Sequence, residues 1–294
     1  MRYSPVAVIV ALCLLSNADA LRIVVAAETY EVTLEKDVEY GTGGGEKLYL
    51  DLAKPVGIEV AAPAVIFIHG GGWAGGNRQD LHGEIRRMAA EGFVTATITY
   101  RLAPKHRFPA QIEDCKCAVR WMRAHADRLH VDPERIGALG LSAGAHLSMM
   151  LGAMDAADGL EGDGGWPDQS SKVQAVVSYV GPTNLVGEYP EISQRIVSNF
   201  IGGSLADVQD TYALASPITY VNAGDAAMLL FQGTTDVLVP YDQAFQMARA
   251  LDEAKIPGRV ELLVGHGHGW GGAELDRTRA AGIEFLKQRL SKHE

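Results

Sequence analysis

Ser142 sits in Gly140-Leu141-Ser142-Ala143-Gly144, with a glycine two residues away on either side. Arg135 to Leu139 read as a short buried strand, and Ala145 to Leu151 as the first turns of a helix. A strand, a sharp turn and a helix with serine at the turn hold a hydroxyl clear of a sheet edge. The helix N-terminus then aims free N–H groups at any negative charge developing beside it. A serine before a helix also serves as an ordinary N-cap, so the other residues must decide.

Acyl transfer through such a hydroxyl needs a base, an orienting acid and donors for an oxyanion. The acidic candidate is Asp236, in Gly233-Thr234-Thr235-Asp236-Val237-Leu238-Val239-Pro240, just past a buried apolar run. Asp242 stands nearer the next helix and is the better cap, which frees Asp236. The base is one of two histidines in Gly265-His266-Gly267-His268-Gly269-Trp270, with His268 preferred over His266. As metal ligands the two lack a third partner at an evident spacing. Gly70-Gly71-Gly72 follows another apolar run and suits an oxyanion site, with donors from Gly71, Gly72 and Ala143. A glycine run can also cradle phosphate, but no Gly-Lys-Ser/Thr follows it here. Trp73 and Trp270 flank the oxyanion loop and the base and are candidate substrate-binding residues. Trp270 either stacks on a sugar or aryl group or packs its loop.

The elements that must position these residues alternate. Glu31 to Tyr40 and Lys47 to Leu52 read as an antiparallel hairpin. Strands are expected at Ala64–Ile68, Phe93–Tyr100, the elbow, Ala175–Val180, Ala227–Gln232 and Arg259–Val264. Helices are expected at Leu81–Glu91, Ile112–Leu129, after the elbow, at Tyr241–Ala254 and at Leu275–Leu290. This is an α/β chain with a mostly parallel sheet covered on both faces. Asp155 to Ser171, with Trp166, and Thr183 to Val221, with Tyr189 and Phe200, break the rhythm. Both are read as lying at the carboxyl edge of the sheet, as candidate walls of a site. The second, 183–221, reads as a lid-like insertion.

The 294 residues are 47% apolar with a net charge of -10, which suits a large core and argues against nucleic acid or other anionic polymers. Arg2, the apolar run Val6 to Leu15 and Ala18-Asp19-Ala20 read as a signal peptide over 1–20, implying export; a buried first strand is the rival reading. No other stretch suggests a membrane anchor. Cys115 and Cys117, two apart on a helix, face different ways and are read as unpaired.

His69-Gly70-Gly71-Gly72-Trp73, Tyr100-Arg101-Leu102-Ala103-Pro104 with Phe108-Pro109-Ala110 and Asp114, Gly140 to Gly144, Gly233 to Pro240, and Gly267-His268-Gly269 follow one another in the chain. This set resembles the α/β-hydrolase superfamily, near the hormone-sensitive-lipase-like esterases and nearer the bacterial esterases similar to bifunctional acetylxylan and feruloyl esterases. The resemblance implies an α/β-hydrolase fold with an eight-stranded sheet. It also implies a serine esterase without metal or organic cofactor, acting on a small ester or an acylated polysaccharide, with acetyl removal from carbohydrate foremost. Feruloyl or general carboxylesterase, arylformamidase and exopeptidase chemistry use the same parts. The sequence departs from the family where Gln232 replaces a frequent histidine, and where the short stretch before His69 leaves no room for a helical N-terminal cap. His69 is read as bracing the oxyanion loop, Arg101 and Asp114 as bracing each other, and His146 as a packed histidine.

Overall fold

The alternating segments near the start form a hairpin of β1 (Val32–Gly43) and β2 (Glu46–Pro55) in the computed structural model, which describes residues 29–292. The expected signal peptide, 1–20, lies outside those residues. After the hairpin come β3 (Ala62–Ile68), α1 (His82–Ala90), β4 (Val94–Ile98), α2 (Ala110–Ala124), α3 (Ala126–Leu129), β5 (Val131–Leu141) and α4 (Ala143–Ala153). Beyond α4 lie β6 (Ala175–Tyr179), α5 (Glu191–Ile201), α6 (Gln209–Leu214), β7 (Ala227–Gly233), α7 (Asp242–Glu253), β8 (Gly258–Leu263) and α8 (Gly272–Arg289).

The eight strands form one sheet in the order β1-β2-β4-β3-β5-β6-β7-β8. Pairing is antiparallel at β1–β2 and β2–β4 and parallel from β4 to β8. The chain runs outward from β3 to β4, then crosses back to place β5 on the other side of β3. That reversal opens a crevice at the carboxyl ends of β3 and β5, where the oxyanion loop and the elbow both begin.

Side chains alternate across the pleat, so one strand serves two cores. Ala64, Ile66 and Ile68 pack with Ile112 of α2, Leu147 of α4 and Met247 of α7. Val65 and Phe67 pack with Ile85 of α1 and Phe285 of α8 on the opposite face. Because both faces are covered, β3 reads as an unbroken apolar run.

Two expectations are corrected. The helix expected over 112–129 divides at His125, whose ring Nδ1 lies 2.9 Å from the carbonyl oxygen of Trp121. A left-handed His130, φ 60°, then turns the chain into β5. The loop 155–171 does not wall the site. Helix α4 starts beside Ser142 and carries the chain back to the far edge of the sheet, so the loop after α4 emerges there. Glu161 in this loop takes hydrogen bonds from Lys116 Nζ at 2.8 Å and Arg120 at 2.6 Å, and the Trp166 indole donates to the Tyr40 carbonyl at 3.0 Å. The cysteines beside that anchor, Cys115 and Cys117, are buried and unpaired.

The insertion 183–221 lies between β6 and β7 and holds α5 and α6. Thr183 Oγ1 donates to the Gln243 carbonyl at 2.7 Å, and Ser193 Oγ on α5 donates to the Leu238 carbonyl at 2.7 Å. The second bond ties the insertion to the loop that carries Asp236.

Candidate active site

Ser142 takes φ 55° and ψ −118°, a strained conformation for a residue with a side chain. Its amide donates to the Tyr179 carbonyl at 2.8 Å, which fixes the turn against β6. The flanking glycines are demanded by space. A Cβ on Gly144 would fall on the carbonyl oxygens of Ile68 and His69, and one on Gly140 on the Gly144 backbone. Strand and helix can therefore meet only without those atoms.

His268 reaches the nucleophile from the loop between β8 and α8. Its Nε2 lies 2.8 Å from Ser142 Oγ, and its Nδ1 lies 2.7 Å from Asp236 Oδ2. Asp236 is brought there by the loop after β7, and its Oδ1 accepts the amides of Leu238 at 2.8 Å and Val239 at 3.0 Å. Burial raises the Asp236 carboxyl, but the hydrogen bonds from His268, Val239 and Leu238 outweigh it and hold the group below the ordinary carboxylate range. An ionised Asp236 makes Nδ1 the protonated ring atom and leaves Nε2 free to accept the serine proton. His266 stands outside this relay: its carbonyl accepts the Thr235 amide at 2.9 Å.

Gln232, at the end of β7, is a participant that the sequence marked only as a departure. Its Nε2 donates to Asp236 Oδ2 at 3.1 Å and to the Val239 carbonyl at 2.9 Å, so it holds the acid and its loop together. Its place four residues before Asp236 was the available signal. Ser193, by contrast, gave none: its contact with Leu238 depends on how the insertion folds back.

The glycine loop after β3 lies against the elbow. A Cβ on Gly70 would meet the Leu141 carbonyl oxygen at 2.8 Å and Ser142 Cβ at 3.3 Å. Gly71 takes φ 118° and Gly72 φ 58°. The amides of Gly71 and Gly72 donate to no described backbone acceptor. That of Ala143, first residue of α4, precedes the helix's own hydrogen-bond ladder. Three donors thus border Ser142. His69 braces the loop: its ring stacks on Tyr100 at 4.4 Å, its Nδ1 lies 2.8 Å from the Gly70 carbonyl, and burial lowers its pKa. Arg101 Nε donates to Asp114 Oδ1 at 2.9 Å one layer further out.

Trp73 requires a correction. Expected to contact substrate, it stands among the residues lining the cavity but is only 3% exposed. Its ring stacks on Phe200 of α5 at 4.3 Å, so it props the insertion over the oxyanion loop. Trp270 packs its loop, its indole donating to Thr278 Oγ1 at 2.9 Å, and also walls a cleft beside His268.

A cavity of about 460 Å³ lies over Ser142, roofed by Ile196 and Val197 of α5 and by Tyr189 just before it, and flanked by Leu238 and Val239. Apolar walls around a hydroxyl, an imidazole and three amide donors suit a neutral ester carbonyl that becomes an oxyanion. Among the described residues no three His, Cys, Asp or Glu side chains gather as a metal would need, and no helix is long and apolar enough to cross a membrane.

The model of the BD-FAE family matches residues 50–251. Esterase LipC of Mycobacterium tuberculosis is 31% identical over 77% of this chain and 58% of its own length. Esterase LipQ of the same organism is 31% identical over 74% of this chain and 52% of its own. The chain thus spans little more than half the length of these curated relatives. Among solved structures, a truncated carbohydrate esterase from gut microbiota superposes with a TM-score of 0.78 at 26% identity, covering 91% of this chain and 99% of that one. Esterase 2 of Thermogutta terrifontis gives 0.73 at 26%, covering 90% and 93%. The sheet order and its helices are those of an α/β-hydrolase.

Proposed function

The chain belongs to the BD-FAE family, and from that premise we propose that it is an exported serine carboxylic-ester hydrolase that removes short acyl groups, acetyl foremost, from carbohydrate esters. The observation that carries the hydrolase is the placement of His268 between Ser142 Oγ at 2.8 Å and Asp236 Oδ2 at 2.7 Å. Ser142 attacks the ester carbonyl while His268 Nε2 takes its proton. Gly71, Gly72 and Ala143 hold the oxyanion. The imidazolium gives its proton to the leaving alcohol, and water, activated by the same histidine, then releases the acid from the acyl-enzyme.

The carbohydrate reading is supported by the likeness to a structure titled as a carbohydrate esterase, and export by the signal-like residues 1–20. The apolar cavity under α5 favours a second reading, a feruloyl or general carboxylesterase with a longer or aromatic acyl group. Acetate release from acetylated xylan, run beside aryl esters of rising acyl length with Ser142→Ala as blank, separates them. Fast acetate release with a steep fall beyond short chains supports the deacetylase. Turnover of long or feruloyl esters with acetylated xylan untouched overturns it and leaves the triad in place.

A further inference from the structure

We infer that the cleft between α1 and α8 receives the leaving alcohol of the ester, and that it is built for an alcohol carrying a ring with an apolar face. The inference rests on the ester-hydrolase reading and names the second half of its substrate.

The cleft is a cavity of about 270 Å³ distinct from the one under α5, but the two share Asp80, Leu81, Leu141 and His268 as lining residues. They therefore meet beside Ser142, and the geometry of the reaction assigns them. The oxyanion donors Gly71, Gly72 and Ala143 border only the cavity under α5. On collapse of the tetrahedral intermediate the carbon–oxygen bond breaks, its electron pair stays on the alcohol oxygen, and the Nε2 proton of His268 is transferred to it. The alcohol oxygen must therefore lie on the side of His268, and the cleft that continues past His268, Gly269 and Trp270 is the one lined by that loop. The acyl group takes the remaining direction, under α5.

The walls define the occupant. Leu141, immediately before the nucleophile, is 46% exposed, and with Leu81, Leu275 and Ile283 it gives the cleft an apolar surface. The Trp270 indole donates to Thr278 Oγ1 at 2.9 Å and its ring lies beside Tyr179, with centroids 6.0 Å apart, so the ring is supported as one wall of the cleft. Of the charges that border the cleft, Arg279 and Glu84 satisfy each other, Arg279 Nε donating at 3.0 Å, and Asp80 and Arg87 line it as well. A second observation is backbone strain. Val180, which lines this cleft one residue beyond β6, holds φ 51°, a left-handed conformation that a β-branched residue rarely takes. An aryl ring and the apolar face of a sugar ring meet these walls in the same way, by stacking and apolar burial.

The test is a set of acetate esters differing only in the alcohol, methyl, phenyl and naphthyl acetate and a monoacetylated methyl glycoside, with phenyl butyrate beside them to read acyl length. They are hydrolysed by wild type, by Leu275→Trp, which fills the cleft from a half-buried position, and by Leu275→Ala, which enlarges it. With Leu275→Trp, kcat/KM for the ring-bearing ester relative to methyl acetate is expected to fall about tenfold or more. A fall for phenyl acetate alone identifies an aryl alcohol, a fall for the glycoside alone a sugar, and either supports the site. With Leu275→Ala, naphthyl acetate gains on phenyl acetate, so the assignment remains testable if the tryptophan variant does not fold. Ratios that stay flat in both variants, or a change in acyl-length preference instead, overturn it. Failure of the underlying reading shows separately, as wild type turning over methyl acetate no better than Ser142→Ala.

Discussion

The indole N–H of Trp73 donates to Nδ1 of His146 across 3.2 Å, joining the oxyanion loop to the elbow helix. Since Nδ1 accepts, Nε2 carries the proton and donates to the Ala215 carbonyl at 2.6 Å. The ring is fully buried, neutral and uses both nitrogens. Burial pushes its pKa down to about 4, against an ordinary value of about 6.5. In that interval the unfolded chain binds a proton that the native one refuses, so stability is complete above pH ~6.5 and is lost as pH falls toward ~4. The loss amounts to on the order of 3 kcal/mol. Urea unfolding at several pH values should show it, and His146→Gln, which keeps a donor and an acceptor but does not titrate, should flatten it. An equal slope in both proteins would remove His146 as the cause.

Asp236→Asn keeps the shape of the acid but removes the charge that sets the tautomer of His268. A fall in kcat of about 10⁴ is expected with the fold intact, as the wrong ring nitrogen then faces Ser142. The native carboxyl lies below its ordinary range, so its contribution to stability is present above about pH 4 and disappears as pH falls through the lower native value. The Asp236→Asn variant should lack that acid-side loss. A variant retaining a tenth of wild-type kcat would show that another group orients His268.

Gln232→Leu removes a neutral donor from Asp236 Oδ2 and leaves the His268 bond in place. The acid and the loop that carries it then lose the side chain that joins them. A fall in kcat of about tenfold is expected, the scale of one hydrogen bond to a charged group. A lower melting temperature with kcat unchanged would assign Gln232 to structure alone.

Gly144→Ala should be severe for so small a change. The added methyl lies on the carbonyl oxygens that end β3, and neither backbone can yield without moving the oxyanion loop. Overpacking of this kind costs about 1–3 kcal/mol or more. The expected outcome is a lower melting temperature together with a large loss of kcat. Near-wild-type activity on aryl acetates would mean that the elbow relaxes freely.

The local chemistry was legible in the sequence because it is written in local constraints. A serine held in a strained turn needs small neighbours within two residues, and an oxyanion loop needs glycines directly after its strand. The run Ala64 to Ile68 and the periodic helices follow from burial on two faces or one, so the strand–helix alternation was readable too. Tertiary structure decided the features that depend on folding back. The sequence preferred His268 over His266, but the contact itself depends on the arrival of β8 beside β7, which brings the second imidazole between Ser142 and Asp236. Trp73 read as a substrate contact because it follows the glycines, but α5, more than a hundred residues later, places Phe200 on it. The loop 155–171 was assigned to the wrong edge, since its edge is set by the direction of α4 and not by its composition. Ser193 acts between segments far apart in the chain, where sequence spacing carries no distance.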